Sequence, residues 1–276
     1  MSGALASFMM MAIGGRELSD TMNIFQILLL RSLVGLPILL IVLSTKGFKF
    51  PRTQRLKIHL FRNLLHYGAQ AGWFLGVTLL PLATVFAIEF TTPIWVAIMA
   101  VYFLGERMNR GRLVAILFGF AGILVILRPG VEVFDVASLA VFWAAIGYAA
   151  SYVITKDLSR TETPLTIIFY MAVVQGIIGL VPGLMVWIVP GMEDIIWIVF
   201  IGIAGLTSHF CLVKAFSHAD ATVVIPIDFL RLPLAAVIGF FMYQEAFEVT
   251  VLAGAVVIFA GNYYNIRVQT STKTEA

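Results

Sequence analysis

The segment Ala83–Phe90 reads ATVFAIEF, and half a chain length later Ala221–Phe229 reads ATVVIPIDF. Each copy sets one carboxylate, Glu89 or Asp228, inside a long apolar run. A charge in such a run is expensive to hold in hydrocarbon unless it is paired or used. The duplicated acid therefore predicts a helical membrane protein made of two related halves, with ionisable groups facing a shared interior.

Composition supports a lipid solvent. The 276 residues are 61% hydrophobic and 12% charged, with mean hydropathy +0.99. A soluble domain is about half apolar and about a quarter charged. The apolar runs are continuous rather than alternating, which disfavours a β-barrel. A membrane helix needs roughly 20 apolar residues. Ten segments meet or approach this, near 2–15, 22–44, 60–79, 82–104, 111–128, 136–155, 164–189, 194–214, 220–243 and 247–266. The first is short before Arg16, which fits a tilted or shielded helix or a start assigned several residues late. The lone Cys211 permits no internal disulfide, and the opening MSGALASFMM lacks the basic start of a secretory signal.

Charge placement orients the chain. With a cytoplasmic N-terminus, twelve Lys and Arg fall in cytoplasmic segments, and only Arg16 and Arg128 outside. That bias follows the positive-inside rule and puts both termini in the cytoplasm. The basic residues lie on short loops rather than along one face, so nucleic acid is not an expected partner.

The duplication extends beyond the opening phrase. FAGILVILR at 120–128 aligns with FAGNYYNIR at 259–267, Gly105–Glu106 with Gln244–Glu245, and Leu18–Ser19 with Leu158–Ser159. Five spans per copy is an odd number, so the copies must insert in opposite orientations. The expected architecture is all-α, with ten transmembrane helices as two inverted five-helix repeats, 1–130 and 136–268, and a cytoplasmic tail, 269–276. Inverted repeats characterise secondary transporters, whose sites lie near the midplane where the repeats meet.

The first copy runs LPLATVFAIEFTTPIWVAIMAVYFLGERMNRGRLVAILFGFAGILVILRPG, with a Gly105–Glu106–Arg107 turn and a closing Arg128–Pro129–Gly130. The second carries the related run from His209 through Lys214, Ala215, Asp220, Ala221 and Pro226 to Glu245. These motifs resemble the EamA-like branch of the drug/metabolite transporter superfamily over nearly the whole chain. The resemblance implies a carrier of amino acids, riboflavin, S-adenosylmethionine, other metabolites or drugs, inward or outward. Asp228 stands where many such proteins have a neutral or aromatic residue, which weighs against carrying over aromatic-amino-acid export.

The ionisable residues suggest a mechanism. Glu89 lies about 10 Å into its helix at ~1.5 Å per residue, at the depth of Arg31 in the second span, so the two are expected to pair. Asp228 has Arg231 at i+3 on its own face. One pair would bias the outward-open form and the other the inward-open form; static struts explain the same residues. Either acid offers a site for a coupling proton, since burial favours its neutral form and a nearby Arg its charged form. His66 lies one turn beyond Arg62, either a satisfied core histidine or a substrate contact. Arg62 and Lys214 are expected to snorkel. Trp73, Phe90, Trp95, Trp143, Tyr148, Tyr152 and Tyr170 are candidate walls of a chamber suited to a flat or cationic substrate, with packing as the alternative. Pro93, Pro226 and Pro233 are candidate hinges, since proline frees a backbone carbonyl. Gly119, Gly122, Gly254 and Gly261 permit close helix contact. No metal-ligand spacing, nucleophile motif or phosphate loop is visible, so neither cofactor nor metal is expected.

The leading expectation is a secondary active transporter moving a small polar organic metabolite, an amino acid or related compound, across the bacterial inner membrane by alternating access. Its partners would be the substrate, the lipid bilayer and a coupling proton, and it would act as a monomer or homodimer. The alternative is an importer of a vitamin or nucleoside-like compound, of the riboflavin or S-adenosylmethionine type. A non-transporting membrane assembly subunit is a different class, and an intramembrane enzyme lacks a legible catalytic group.

Overall fold

The computed structural model describes residues 2–45, 47, 50–105, 110–127, 135–218, 231–246 and 248–274. Every regular element among them is an α-helix: α1 (Ser2–Ser19), α2 (Ile24–Ser44), α3 (Leu56–Leu79), α4 (Leu82–Glu89), α5 (Thr92–Leu104), α6 (Arg110–Leu127), α7 (Val136–Leu158), α8 (Pro164–Met185), α9 (Met192–His218), α10 (Arg231–Tyr243) and α11 (Val249–Thr274). Polar residues in the short connections start several of them. Asn23, Asp135 and Thr163 cap α2, α7 and α8 by accepting from the backbone N–H of Phe25, Ala137 and Thr166, which satisfies donors the first turn leaves open.

Among the described residues, six segments are long and apolar enough to cross a bilayer: α2, α4 with α5, α7, α8, α9 and the first 20 residues of α11. Of the other expected spans, α1, α3 and α6 are helical over most of their length, and α10 covers the part of 220–243 that lies within the described residues. In α3, Arg62, Asn63, His66 and Gln70 occupy the middle, and all are buried against protein. The exterior is the reverse. Tyr102, Phe103, Trp143, Val181 and Phe241 are each more than half exposed, an apolar belt that a water-soluble fold would not carry.

Two elements differ from the sequence expectation. Helix α1 does not stop before Arg16; it continues to Ser19 because Arg16 is held by protein acceptors. The expected helix 82–104 is broken at Phe90–Thr91. Pro93 has no N–H to give the carbonyl of Glu89, four residues earlier. The Thr92 hydroxyl donates to that carbonyl instead, at 2.5 Å. The first-repeat acid thus sits at a helix end created by its own proline. At the far end, α11 runs on to Thr274.

Packing follows the duplication. Helix α1 packs on α9 as α7 packs on α3, α2 meets α9 as α8 meets α3, and α2 pairs with α8 as α6 pairs with α11. In the α6–α11 pair, a Cβ on Gly122 would stand 2.7 Å from the Gly254 carbonyl oxygen, and one on Gly254 2.6 Å from that of Gly122. The glycines let the two backbones touch. The aligned positions Gly105 and Gln244 both adopt a left-handed conformation, φ 68° and 55°, directly after α5 and α10. Gln244 does so without being glycine, which is uncommon.

Candidate functional site

Polar side chains converge where α1, α2, α3, α4, α7, α8, α9 and α10 meet. Glu89, at the end of α4, accepts from the Trp73 indole N–H at 2.8 Å through Oε2 and from Arg231 Nη2 at 3.1 Å through Oε1. Both charged side chains are almost fully buried, Arg231 3% and Glu89 6% exposed. The Arg231 guanidinium also lies 4.6 Å from the Phe8 ring centroid and 5.2 Å from that of Phe86, where ring quadrupoles favour a cation. The expected pairing is therefore corrected: the acid of the first repeat joins the base of the second, not Arg31. Depth counting along one helix cannot tell which neighbouring helix a side chain faces, and Glu89 faces α10.

Arg31 is held differently. Its Nη2 donates to Gln70 Oε1 at 2.8 Å and to Gln175 Oε1 at 2.6 Å, and Nη1 meets Met11 Sδ at 3.8 Å. Guanidinium only donates, so both amides must present oxygen to it. Gln175 then has its NH2 for His66 Nδ1, 2.8 Å away. Nδ1 therefore accepts, and the neutral His66 proton sits on Nε2. The His66 ring stands edge-on to His209 with centroids 4.8 Å apart, and His209 in turn meets the edge of Phe8 at 5.9 Å. Gly205 leaves room for this arginine: a Cβ there would lie 3.0 Å from Arg31 Cδ.

Phe8, Met11, Gln70, Trp73, Glu89, Tyr148, Tyr152, His209 and Arg231 line one internal cavity. Tyr148 and Tyr152 stack within it, rings 6.1 Å apart and 10° from parallel. The free space is about 10 Å³, the scale of one water molecule, whereas metabolite sites enclose about 300–1,000 Å³. This cavity is closed in this conformation.

Two polar clasps link helices elsewhere in the bundle. At one, Arg16 donates to the Leu80 carbonyl and to Glu245 at 3.0 Å, Glu245 accepts from the Leu82 N–H at 2.9 Å, and Tyr243 donates to Glu17 at 2.9 Å. At the other, Arg55 pairs with Asp157, Thr53 donates to Glu162, and Glu162 also bonds His59 at 2.8 Å. The two clasps tie α1 to α10 and the start of α3 to the end of α7.

The remaining expected residues divide. Arg62 does not snorkel: it is 1% exposed and donates to Thr155 at 2.7 Å and Asn63 at 3.0 Å. Lys214 is exposed, as a snorkelling residue would be. Trp95 packs on Phe120 and Phe142, away from the cavity. Trp143 is 66% exposed and faces outward. Tyr170 joins the Arg55 end, where it donates to the Pro51 carbonyl and lies against His59. Pro93 occupies the first turn of α5. Asp228 and Pro226 lie outside the described residues, and for Pro233 only its place in α10 is described. Sequence reasoning passed over Gln70, Gln175, Phe8 and Met11. The two amides carried a signal, since an uncharged hydrogen-bonding group in an apolar run also needs a partner; Phe8 and Met11 carried none.

Fold and site together define a multi-pass helical membrane protein whose polar residues face an internal chamber. The chain matches the EamA-like transporter family over residues 1–128 and again over 136–267, and it belongs to that family. Among curated proteins, an S-adenosylmethionine uptake transporter of Rickettsia bellii is 28% identical, covering 91% of this chain and 86% of its own length. The Rickettsia conorii protein of the same name is 30% identical over 88% and 83%. A riboflavin transporter of Brucella anthropi is 30% identical over 88% of each chain. One solved crystal structure shares the fold at TM-score 0.68 and 15% identity, covering 96% of this chain and 98% of its own.

Proposed function

We propose that this protein is an uptake carrier for a charged heterocyclic metabolite of the S-adenosylmethionine kind, working by alternating access in a bacterial inner membrane. The observation that carries the reading is the similarity to named S-adenosylmethionine uptake transporters over 91% of the chain and 86% of the relative. It favours import of a nucleoside-like compound over the amino-acid reading. Ten membrane crossings in two inverted halves fit the doubled family match, the reciprocal packing of helices and the odd number of spans per half. Cytoplasmic termini fit the placement of Lys and Arg.

The chemistry of the chamber supports the substrate class. Stacked Tyr148 and Tyr152 offer flat faces for an aromatic base, and their rings with the Glu89 carboxylate offer a surface for a cationic centre. In the transport cycle, one clasp opens while the other holds. Opening at the Arg16–Glu245 end exposes the chamber to one side, and opening at the Arg55–Asp157 and His59–Glu162 end exposes it to the other. In this reading a closed form is the intermediate between them. The Glu89–Arg231 bridge joins the two halves across the chamber, and the Pro93 break lets α4 tilt without unwinding α5.

Riboflavin is the second reading, favoured by the Brucella anthropi relative at 30% identity over 88% of each chain. Accumulation of labelled compound by cells that express the protein and lack their own uptake systems separates the two. Labelled S-adenosylmethionine is expected to accumulate above the empty-vector level. Accumulation of riboflavin alone supports the second reading, and accumulation of neither refutes both.

A further inference from the structure

The described interior has more positive charge and more hydrogen-bond donors than its own residues satisfy. Arg31 and Arg62 are both buried, yet all their described partners are neutral: Gln70, Gln175 and Met11 for the first, Thr155 and Asn63 for the second. The carboxylate of the chamber wall, Glu89, is already engaged by Trp73 and Arg231. A buried charge is ordinarily paired, because desolvation is otherwise left uncompensated.

The donors tell the same story. With Gln70 Oε1 turned to Arg31, its amide nitrogen remains, and that nitrogen is buried with no partner. The tautomer imposed by Gln175 leaves His66 Nε2–H, also buried and without a partner. Both His209 ring nitrogens are buried and unpartnered, and a neutral imidazole has one of them protonated. Gln70 and His209 belong to the chamber wall. The Nη1 group of Arg31 has only a thioether, Met11 Sδ at 3.8 Å, and Met11 is also in that wall. A thioether is a weak acceptor, readily replaced by an anionic oxygen.

We propose that the substrate is held by a carboxylate that docks at the Met11–Gln70–His209 wall, one oxygen displacing Met11 Sδ from Arg31 and the other accepting from the Gln70 amide and His209. This rests on the carrier reading and adds a requirement to it: the substrate is an organic anion or zwitterion, not merely a flat heterocycle. Riboflavin, which has no carboxylate, would be a poor ligand. The arrangement also accounts for Gly205, since a larger residue there would push Arg31 from its place behind the wall.

The test is binding to detergent-purified protein, read as thermal stabilisation and as apparent Kd, with compounds that differ only in the carboxylate. The pairs are S-adenosylmethionine against its decarboxylated form, and methionine against 3-(methylthio)propylamine, with riboflavin alongside. In the native protein we expect the carboxylate member of a pair to bind at least tenfold more tightly. In Arg31→Gln that preference should shrink to within about twofold, in Arg31→Lys it should be partly kept, and in Gln70→Leu it should fall by a smaller factor. The native comparison stands even if a variant does not fold. Equal binding within each pair, tighter binding of riboflavin, or a preference undiminished in Arg31→Gln overturns the carboxylate site while leaving a carrier in place. Binding of none of these compounds overturns the substrate reading and the carboxylate site together.

Discussion

Glu245→Gln isolates the clasp that ties α1 to α10. Glu245 uses both oxygens, one for Arg16 Nη2 at 3.0 Å and one for the Leu82 N–H at 2.9 Å. A glutamine keeps one acceptor and turns an NH2 toward the other donor, so one of the two bonds is lost whichever way it lies. Arg16 retains the Leu80 carbonyl and the Tyr243 ring, 5.3 Å from its guanidinium carbon. The net loss is thus one hydrogen bond to a charged group, worth about 1.5–3 kcal/mol. The Arg16 and Glu245 side chains are only 20% and 12% exposed, so screening removes part of this. If the bond exists only in the closed form, the open population at that end should rise about 10- to 100-fold, at about 1.4 kcal/mol per decade. The assay is labelling by a membrane-impermeant maleimide of Met11→Cys, which keeps a sulfur in the chamber wall, in a Cys211→Ser background. Labelling should accelerate at least tenfold with Glu245→Gln, and adding Arg16→Met should raise it further, because Arg16 still holds the Leu80 carbonyl and the Tyr243 ring in the single variant. An unchanged rate in a folded protein would refute the clasp as a gate.

Other substitutions probe the interior. Glu89→Gln removes the described carboxylate of Arg231, and breaking a buried pair costs about 3–5 kcal/mol. A clear drop in unfolding temperature is expected, partly recovered by adding Arg231→Met. Gln175→Leu strips an acceptor from Arg31 and the donor from His66, at about 1–3 kcal/mol. Nitrogen NMR of labelled histidine should show His66 losing its single Nε2–H tautomer. Gly122→Val forces α6 from α11, and overpacking of this kind costs about 1–3 kcal/mol. Thermal unfolding should register that loss, whereas the same change at Gly68, which a Cβ would leave free of contacts, should not.

The all-helical membrane class was legible because lipid imposes simple rules, and long apolar runs had to be helices. The second copy of the repeated phrase, 221–229, lies outside the described residues. Single residues inside the bundle were legible only as far as local geometry stayed regular. Glu89 was recognisable as buried, but its partner was not, because depth along a helix does not tell which neighbour a side chain faces, and Glu89 meets Arg231 rather than Arg31. Arg62 read as a snorkelling residue from its place after a basic loop; only the packing of α3 on α7 reveals Thr155 as its acceptor. The aromatic candidates show the same limit. Trp73 and Trp143 are alike in sequence setting, yet one donates to Glu89 and the other faces outward, and which face of a nearly uniformly apolar helix turns inward is decided by its neighbours.

The most direct measurement is counterflow in proteoliposomes containing the purified protein, loaded with unlabelled S-adenosylmethionine and supplied with the labelled compound outside. The account expects a transient accumulation of label in native vesicles, at least tenfold smaller with Glu89→Gln and with Arg31→Gln when equal amounts of folded protein are present. Absence of counterflow in native vesicles, or undiminished counterflow in both variants, would contradict it.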